Sequence, residues 1–144
     1  MPTARVNGVE IYYEQAGSGP PLLFISGTGG DLRNKPNQFD GPFPKAFDMV
    51  SFDQRGLGRS EKPDVAYSMA DYADDACALM GELGIERAHV VGVSFGGMVA
   101  QELVLRHPGR VERHVLACTS PGGAGGAGDS LQLLPEVPSS TLLG

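Results

Sequence analysis

The 144-residue chain lacks the features that mark membrane proteins and nucleic-acid-binding proteins. It contains no tryptophan, and no segment reaches the ~18 consecutive apolar residues of a membrane-spanning helix. Its net charge is −6, with 11 basic and 17 acidic residues, so no basic surface is expected that could bind a nucleic acid. The first residues lack the apolar core of a secretion signal. We therefore expect a cytoplasmic protein with neither a membrane nor a nucleic acid as partner.

Cysteine is scarce as well. The sequence has two cysteines, Cys77 in a predicted helix and Cys118 in a predicted strand. Neither stands at metal-ligand spacing from a histidine, so we interpret both as small buried hydrophobic residues and expect no metal. Residues 121–130 are rich in glycine, but they do not connect a strand to a Lys-Ser or Lys-Thr helix start. We predict a flexible loop there and expect neither a phosphate-binding loop nor a cofactor.

What the sequence does contain is an alternation of apolar strands and amphipathic helices. Strands are predicted at 4–7, 9–15, 21–26, 48–52, 88–93 and 111–118, and helices at 69–83 and 95–106. Asn7-Gly8 predicts a hairpin between the first two strands, and Ser68 is a predicted N-cap with Asp71 following it. The three prolines of segment 31–45 allow only a short or irregular helix. The alternation predicts an α/β fold, a mostly parallel sheet with helices on both faces.

A Gly-x-Ser-x-Gly motif joins the strand 88–93 to the helix 95–106, and its residues are Gly92, Ser94 and Gly96. In a strand–turn–helix setting this pattern is typical of a nucleophile elbow. The turn is so tight that the residues flanking the serine must lack bulk. Such a turn would present the Ser94 hydroxyl at the end of the strand, beside the positive end of the helix.

A second motif, Asp-x-Arg-Gly-x-Gly-x-Ser, directly follows the strand 48–52. Its named positions are Asp53, Arg55, Gly56, Gly58 and Ser60. Together with the elbow it resembles the α/β-hydrolase family, most closely the small soluble branch of enol-lactone hydrolases, cofactor-free haloperoxidases, esterases and carbon–carbon bond hydrolases. The resemblance runs from about residue 4 to about residue 122 and covers the front half of the family's usual length. It implies the sheet order 1-2-4-3-5-6. We expect Asp53 to hold the turn and to pair with Arg55.

The resemblance also implies a serine that becomes acylated by its substrate. Ser94 would attack, and the backbone N–H groups of Thr28 and Phe95 would hold the oxyanion. Serine in place of aspartate at the elbow argues against haloalkane dehalogenases and epoxide hydrolases. The implied substrate is a small ester, lactone or thioester. A cofactor-free perhydrolase that uses the same elbow is an alternative.

No histidine of the sequence is placed to act as the base. His89 begins the strand that ends at Ser94, roughly 16 Å away at ~3.3 Å per residue. His107 closes the following helix, about 20 Å away at ~1.5 Å per residue. His114 lies early in the next strand, at the opposite end of the sheet. A general base must come within about 3 Å, so we interpret all three as ordinary surface or strand histidines.

The family's acid and histidine normally follow later strands, which would lie beyond residue 144. Asp129 stands where some relatives keep an acid and is an alternative for that role. We therefore expect residues 1–120 to form a partial hydrolase core and residues 121–144 to begin a missing part. The strand 111–118 would then be an exposed edge. The chain alone is expected to be inactive, and a complementing chain could supply the acid and the histidine; the alternative is a non-catalytic half-domain that binds a ligand or a partner.

Overall fold

The computed structural model describes residues 2–27, residues 29–117 and the short strand Leu142–Leu143. The strands of these residues are β1 (Thr3–Val6), β2 (Val9–Ala16), β3 (Pro21–Ile25), β4 (Asp48–Phe52), β5 (Ala88–Val93), β6 (Val111–Ala117) and β7 (Leu142–Leu143). They form one sheet in the order β1-β2-β4-β3-β5-β6-β7. Strand β2 is antiparallel to β1 and to β4, and the other neighbours are parallel. The predicted fold class and the predicted order of the first six strands are confirmed.

The α-helices of the described residues are α1 (Phe43–Ala46), α2 (Met69–Glu82) and α3 (Phe95–Arg106). The predicted cap of α2 is confirmed, because the Ser68 hydroxyl accepts a hydrogen bond from the Asp71 N–H at 3.1 Å. The Asp71 carboxylate in return accepts the Ser68 N–H at 2.8 Å. Helix α1 is about one turn long and follows a 3-10 turn at Gln38–Asp40, as the prolines of segment 31–45 require. None of the described helices has both the length and the apolar character needed to cross a bilayer.

The two faces of the sheet are covered differently. On one face, α2 and α3 close a core in which Leu79, Met80 and Leu103 are fully buried. On the other face, Leu22, Met49 and Val91 are covered by three phenylalanines from the segment around α1, namely Phe39, Phe43 and Phe47. Helices therefore cover both faces of the sheet, with the long helices α2 and α3 on one face and the short helix α1 on the other.

The β6 edge of the sheet departs from the sequence prediction. Strand β6 ends at Ala117, and its last two residues pair in parallel with Leu142 and Leu143 of β7. The expectation of an exposed edge is therefore wrong for this end of β6. The predicted loop 121–130, together with Cys118 and Asp129, lies outside the described residues.

The carboxyl ends of the central strands meet at one edge of the sheet. Strand β3 pairs in parallel with β5, so that Ile25, the last residue of β3, lies opposite Gly92. On its other side β3 pairs in parallel with β4, with Phe24 opposite Ser51. The loop after β3, the turn after β4 and the turn after β5 are thereby brought together, as is usual for ligand sites of open α/β sheets.

Candidate active site

Ser94 forms the turn between β5 and α3 in a backbone conformation that side chains rarely adopt, with φ +56° and ψ −121°. Its N–H donates to the carbonyl of Ala117 at 2.9 Å, and its carbonyl accepts the N–H of Gly97 at 2.9 Å. Such a conformation costs about 1–3 kcal/mol and persists only where the surrounding structure enforces it. The residue is exposed at the carboxyl edge of the sheet. The fold thus uses conformational strain to present a serine.

Close packing explains why the motif has glycine at positions 92 and 96. A Cβ on Gly92 would lie 2.5 Å from the carbonyl oxygen of Gly96 and 2.9 Å from the Cβ of Ala100. A Cβ on Gly96 would collide with the carbonyl oxygens of Ile25 and Ser26 at the end of β3. The elbow is therefore pressed between the first turns of α3 and the loop after β3.

The loop after β3 approaches the serine closely. A Cβ on Gly27 would lie 3.1 Å from the Cβ of Ser94. The Gly27 carbonyl accepts the N–H of Gly30 at 3.0 Å, which closes the loop into a turn. Thr28, the first predicted oxyanion donor, falls in this loop but lies outside the described residues. Phe95, the second, is the first residue of α3, where a helix leaves its N–H groups without intrahelical partners.

Two glutamines that the sequence analysis did not single out hold this loop. The Ser26 hydroxyl accepts a hydrogen bond from Gln38 Nε2 at 3.0 Å, and the Ser26 carbonyl accepts one from Gln54 Nε2 at 3.1 Å. Gln54 is 2% exposed, and its Oε1 has no hydrogen-bond partner among the described residues. Gln54 occupies the variable position of the Asp-x-Arg-Gly motif, so nothing in the sequence pattern indicated its contact with the loop after β3.

The turn after β4 is organised by Asp53, which is 1% exposed. One carboxylate oxygen accepts the N–H of Leu32 at 2.8 Å, and the other accepts the N–H of Arg59 at 2.9 Å. A Cβ on Gly58, where φ is +52°, would collide with this carboxylate. Burial raises the pKa of Asp53, although the two backbone N–H bonds act in the opposite direction.

The predicted ion pair between Asp53 and Arg55 is wrong. Arg55 instead forms a bidentate pair with Asp75 of α2, with Nε at 2.6 Å and Nη2 at 2.8 Å from the two carboxylate oxygens. Both side chains are buried, and Asn7 of the β1–β2 turn adds a third bond to Asp75 at 3.2 Å. The motif arginine therefore fastens the turn to α2, and the neighbouring Gly56, at φ +82°, leaves room for the ring of Tyr67.

The structure places all three histidines of the sequence away from Ser94. His89 lies near the start of β5, with its ring 5.7 Å from that of Phe47. His114 is the middle residue of β6, opposite Val90 of β5, and burial lowers its pKa. His107 follows the last residue of α3, and its Nε2 lies 2.8 Å from the Asp74 carboxylate. None of them shares the carboxyl edge of the sheet with the elbow, so the described residues bring no imidazole to the serine.

Two hollows adjoin the residues next to Ser94. A cavity of about 280 Å³ with a mixed polar and apolar lining is bounded by Gly27 and Val93, and Gln38 forms part of its wall. An aromatic pocket of about 230 Å³ is bounded by Phe95 and Tyr72. Both cavities thus lie close to Ser94, and Gly29 lines both of them, so that a small molecule at the serine could reach into either one.

This geometry agrees with the comparison of the chain with a known family. Residues 20–137 match the family model of the alpha/beta hydrolase fold. The chain is 40% identical over 128 residues to the dihydrolipoyllysine-residue acetyltransferase component of the acetoin cleaving system of Cupriavidus necator, covering 88% of this chain and 33% of that protein.

Further relatives carry names of small-molecule enzymes. A Mycobacterium tuberculosis protein, BpoC, is named as a candidate non-heme bromoperoxidase; it is 35% identical over 112 residues, which is 77% of this chain and 42% of that protein. The enol-lactonase from Burkholderia xenovorans superposes with a TM-score of 0.74 at 34% identity, covering 83% of this chain and 47% of that one. The chain spans less than half the length of each of these three relatives. It belongs to the α/β-hydrolase family.

Proposed function

We propose that Ser94 is the nucleophile of a serine hydrolase that acts on a small ester, lactone or thioester. The observation that carries the proposal is the strained, exposed serine at the head of α3. Strain of this kind is retained where function needs it, and the lack of a side chain at Gly27 lets the loop after β3 lie close to the serine. The enol-lactonase relative supports a substrate of the ester class.

The proposed reaction has two steps. The Ser94 oxygen attacks the carbonyl carbon of the substrate, a base takes the hydroxyl proton, and the carbon–oxygen or carbon–sulfur bond of the leaving group breaks as that group takes up the proton. Water then attacks the acyl-enzyme and releases the acid. The N–H groups of Thr28 and Phe95 are the proposed donors to the negative oxygen in both steps.

The base must come from elsewhere, because no histidine of the sequence lies at the elbow. We propose that the acid and the histidine belong to a segment outside this sequence, in the same chain or in a complementing one. Residues 1–120 would then be the core that carries the nucleophile, and residues 121–144 would lead towards the rest. Loss of a triad base lowers turnover by about 10⁶ in subtilisin, so we expect the 144-residue chain alone to be nearly inactive.

A cofactor-free perhydrolase is the second candidate, favoured by the Mycobacterium tuberculosis relative. Hydrogen peroxide would attack the acyl-enzyme in place of water, releasing a peracid. Both reactions share the acyl-enzyme, so bromide oxidation in the presence of acetate and hydrogen peroxide is the assay that separates them.

The test is covalent labelling of the chain by a fluorophosphonate, followed by mass spectrometry. Alone, the chain should label only in traces. Added imidazole, which can replace a missing histidine as the base, should give a single adduct. Ser94→Ala should abolish this adduct, whereas Ser18→Ala, at an exposed serine of another loop, should retain it. An adduct that survives Ser94→Ala would contradict the proposal, and the absence of any adduct with imidazole would favour a non-catalytic binding role.

A further inference from the structure

An aromatic pocket beside the elbow takes no part in the proposed acyl transfer. Its walls include the side chains of Leu57, Tyr67, Tyr72 and Phe95, and Arg55, Gly29 and Gly56 complete the lining. The three aromatic residues are only half-buried, so their rings face a hollow that is open to solvent. Apolar surface left exposed in a concavity is typical of a ligand site.

The three rings form a continuous wall of edge-to-face contacts. The ring centroids of Tyr67 and Tyr72 are 5.8 Å apart with planes at 87°. Those of Tyr72 and Phe95 are 5.1 Å apart with planes at 84°. Aromatic rings favour this arrangement, and a further flat ring can extend it by the same kind of contact.

Contacts within the fold fix the position of this aromatic wall and neutralise the charge of the arginine beside it. The guanidinium of Arg55 lies 5.5 Å from the ring centroid of Tyr67 and is paired with Asp75 in the buried ion pair. The Tyr67 hydroxyl donates to the carbonyl of Pro63 at 2.5 Å. The pocket thus presents ring faces and methyl groups, with no unpaired cation among the residues named here, and it suits a neutral ligand.

Position and size indicate which part of a ligand the pocket would take. The pocket is lined by Phe95, whose N–H is a proposed oxyanion donor, and by Gly29, which follows Thr28 in the sequence. Its volume of about 230 Å³ exceeds the roughly 150 Å³ of an apolar protein cavity that accepts benzene. A phenyl-sized group attached close to the reacting carbonyl therefore fits.

We propose that this pocket binds an aromatic arm of the substrate, so that the preferred ligands are neutral esters or lactones that bear a phenyl-sized ring. The assignment rests on the proposed function for the ester group, whereas binding of the ring requires no reaction at Ser94. The cavity of mixed lining bounded by Gly27 and Val93 is left for the second arm.

Tyrosine fluorescence of the full chain tests the proposal directly. The chain has four tyrosines and no tryptophan, and two of the tyrosines line the pocket. The Ser94→Ala variant is titrated with methyl phenylacetate and, for comparison, with methyl butyrate. We expect a saturable change with the phenyl ester and at least about tenfold weaker binding of the aliphatic ester, a difference of about 1.4 kcal/mol. Equal affinity for the two esters would overturn the proposal.

Variants of the wall locate the binding. Tyr72→Ala should weaken binding of methyl phenylacetate at least about tenfold, and Tyr72→Phe should keep the affinity while reducing the fluorescence signal. Tyr13→Phe removes a tyrosine of β2 outside the pocket and should alter neither affinity nor the ligand-dependent change. Where Tyr72→Ala fails to fold, as judged by circular dichroism, Leu57→Trp serves instead, because the larger side chain should narrow the pocket and weaken binding. Its binding is measured by calorimetry, since the new tryptophan would mask the tyrosine signal. Undiminished binding in a folded Tyr72→Ala or Leu57→Trp would overturn the proposal.

The two proposals fail separately. Labelling of Ser94 without a preference for the phenyl ester would remove the aromatic arm and leave the nucleophile. Phenyl-selective binding that depends on Tyr72, with no labelling in imidazole, would support the pocket and count against the serine.

Discussion

Two tight turns follow β4 and β5, the strands that flank β3, and they differ in how far their polar residues are exposed to solvent. The turn after β5 presents Ser94 to solvent in a strained conformation. The turn after β4 buries Asp53 and Arg55, which are 1% and 7% exposed, and joins both to partners within the fold. Both turns reach the same edge of the sheet. A polar residue at this edge is therefore a candidate for chemistry when the fold exposes it in a strained conformation. When the fold buries it together with its partners, it belongs to the scaffold.

The largest effect should come from breaking the buried turn. Arg55→Met leaves the Asp75 carboxylate buried with Asn7 as its remaining side-chain partner. An uncompensated buried charge costs about 3–5 kcal/mol, so the free energy of unfolding measured by urea denaturation should fall by that amount.

The exposed pair of Arg5 and Glu61 supplies the control. The two side chains are 65% and 46% exposed, so Arg5→Met should leave the midpoint of urea denaturation nearly unchanged. The double variant Arg55→Met, Asp75→Leu should regain much of the lost stability, because no charge is then left buried. If Arg55→Met were as mild as Arg5→Met, the turn after β4 would not have the structural role assigned to it.

Substitutions of Ser94 should have a smaller effect on stability, one that reports the backbone strain at the elbow. Ser94→Gly and Ser94→Ala both remove the hydroxyl, but only glycine adopts φ near +56° without steric cost. We expect the glycine variant to be more stable than the alanine variant by about 1 kcal/mol, since the strain of about 1–3 kcal/mol is partly offset by the larger chain entropy of glycine.

The same pair of substitutions at Leu105 tests this reasoning. Leu105 is 77% exposed near the end of α3, where helix propensity favours alanine over glycine by about 1 kcal/mol. The order of stability of the two variants should therefore be reversed between positions 94 and 105. The same order at both positions would show that Ser94 is not strained in solution.

Local patterns predicted most of the fold and the identity of the elbow. The bounds 48–52, 88–93 and 95–106 agree with β4, β5 and α3, because apolar runs and the glycines that bound them are visible within a short window. The need for glycine at position 92 is likewise local, because a Cβ there would collide with the adjoining first turns of α3, whereas the need at Gly96 comes from the distant end of β3.

Contacts between distant segments were not predicted. Arg55 finds Asp75 on α2, twenty residues further along, and the apolar spacing that predicts α2 gives no weight to an aspartate. Gln54 acts through a loop that comes 28 residues earlier. The pairing of β6 with β7 joins segments separated by a glycine-rich stretch. Each of these depends on tertiary packing, which periodicity does not encode.

The smallest effect concerns the proton of Asp53. Burial raises the pKa of this carboxyl above its ordinary value of 3.8, so the folded chain holds the proton more tightly than the unfolded chain does. The contribution of this group to stability is therefore fully present below the ordinary pKa and is lost as the pH rises through the raised pKa of the folded state.

The substitution Asp53→Asn tests this expectation because it removes the titration. It has a fixed cost, since an amide group then faces one of the two backbone N–H groups that donate to the carboxylate. Urea denaturation of both proteins between pH 3 and pH 7 separates the two contributions, because the fixed cost displaces the whole curve whereas the titration changes its slope. The difference in unfolding free energy, parent minus variant, should decrease as the pH rises; a difference that is constant with pH would show that Asp53 is not desolvated, and that the turn after β4 is as open to water as the elbow.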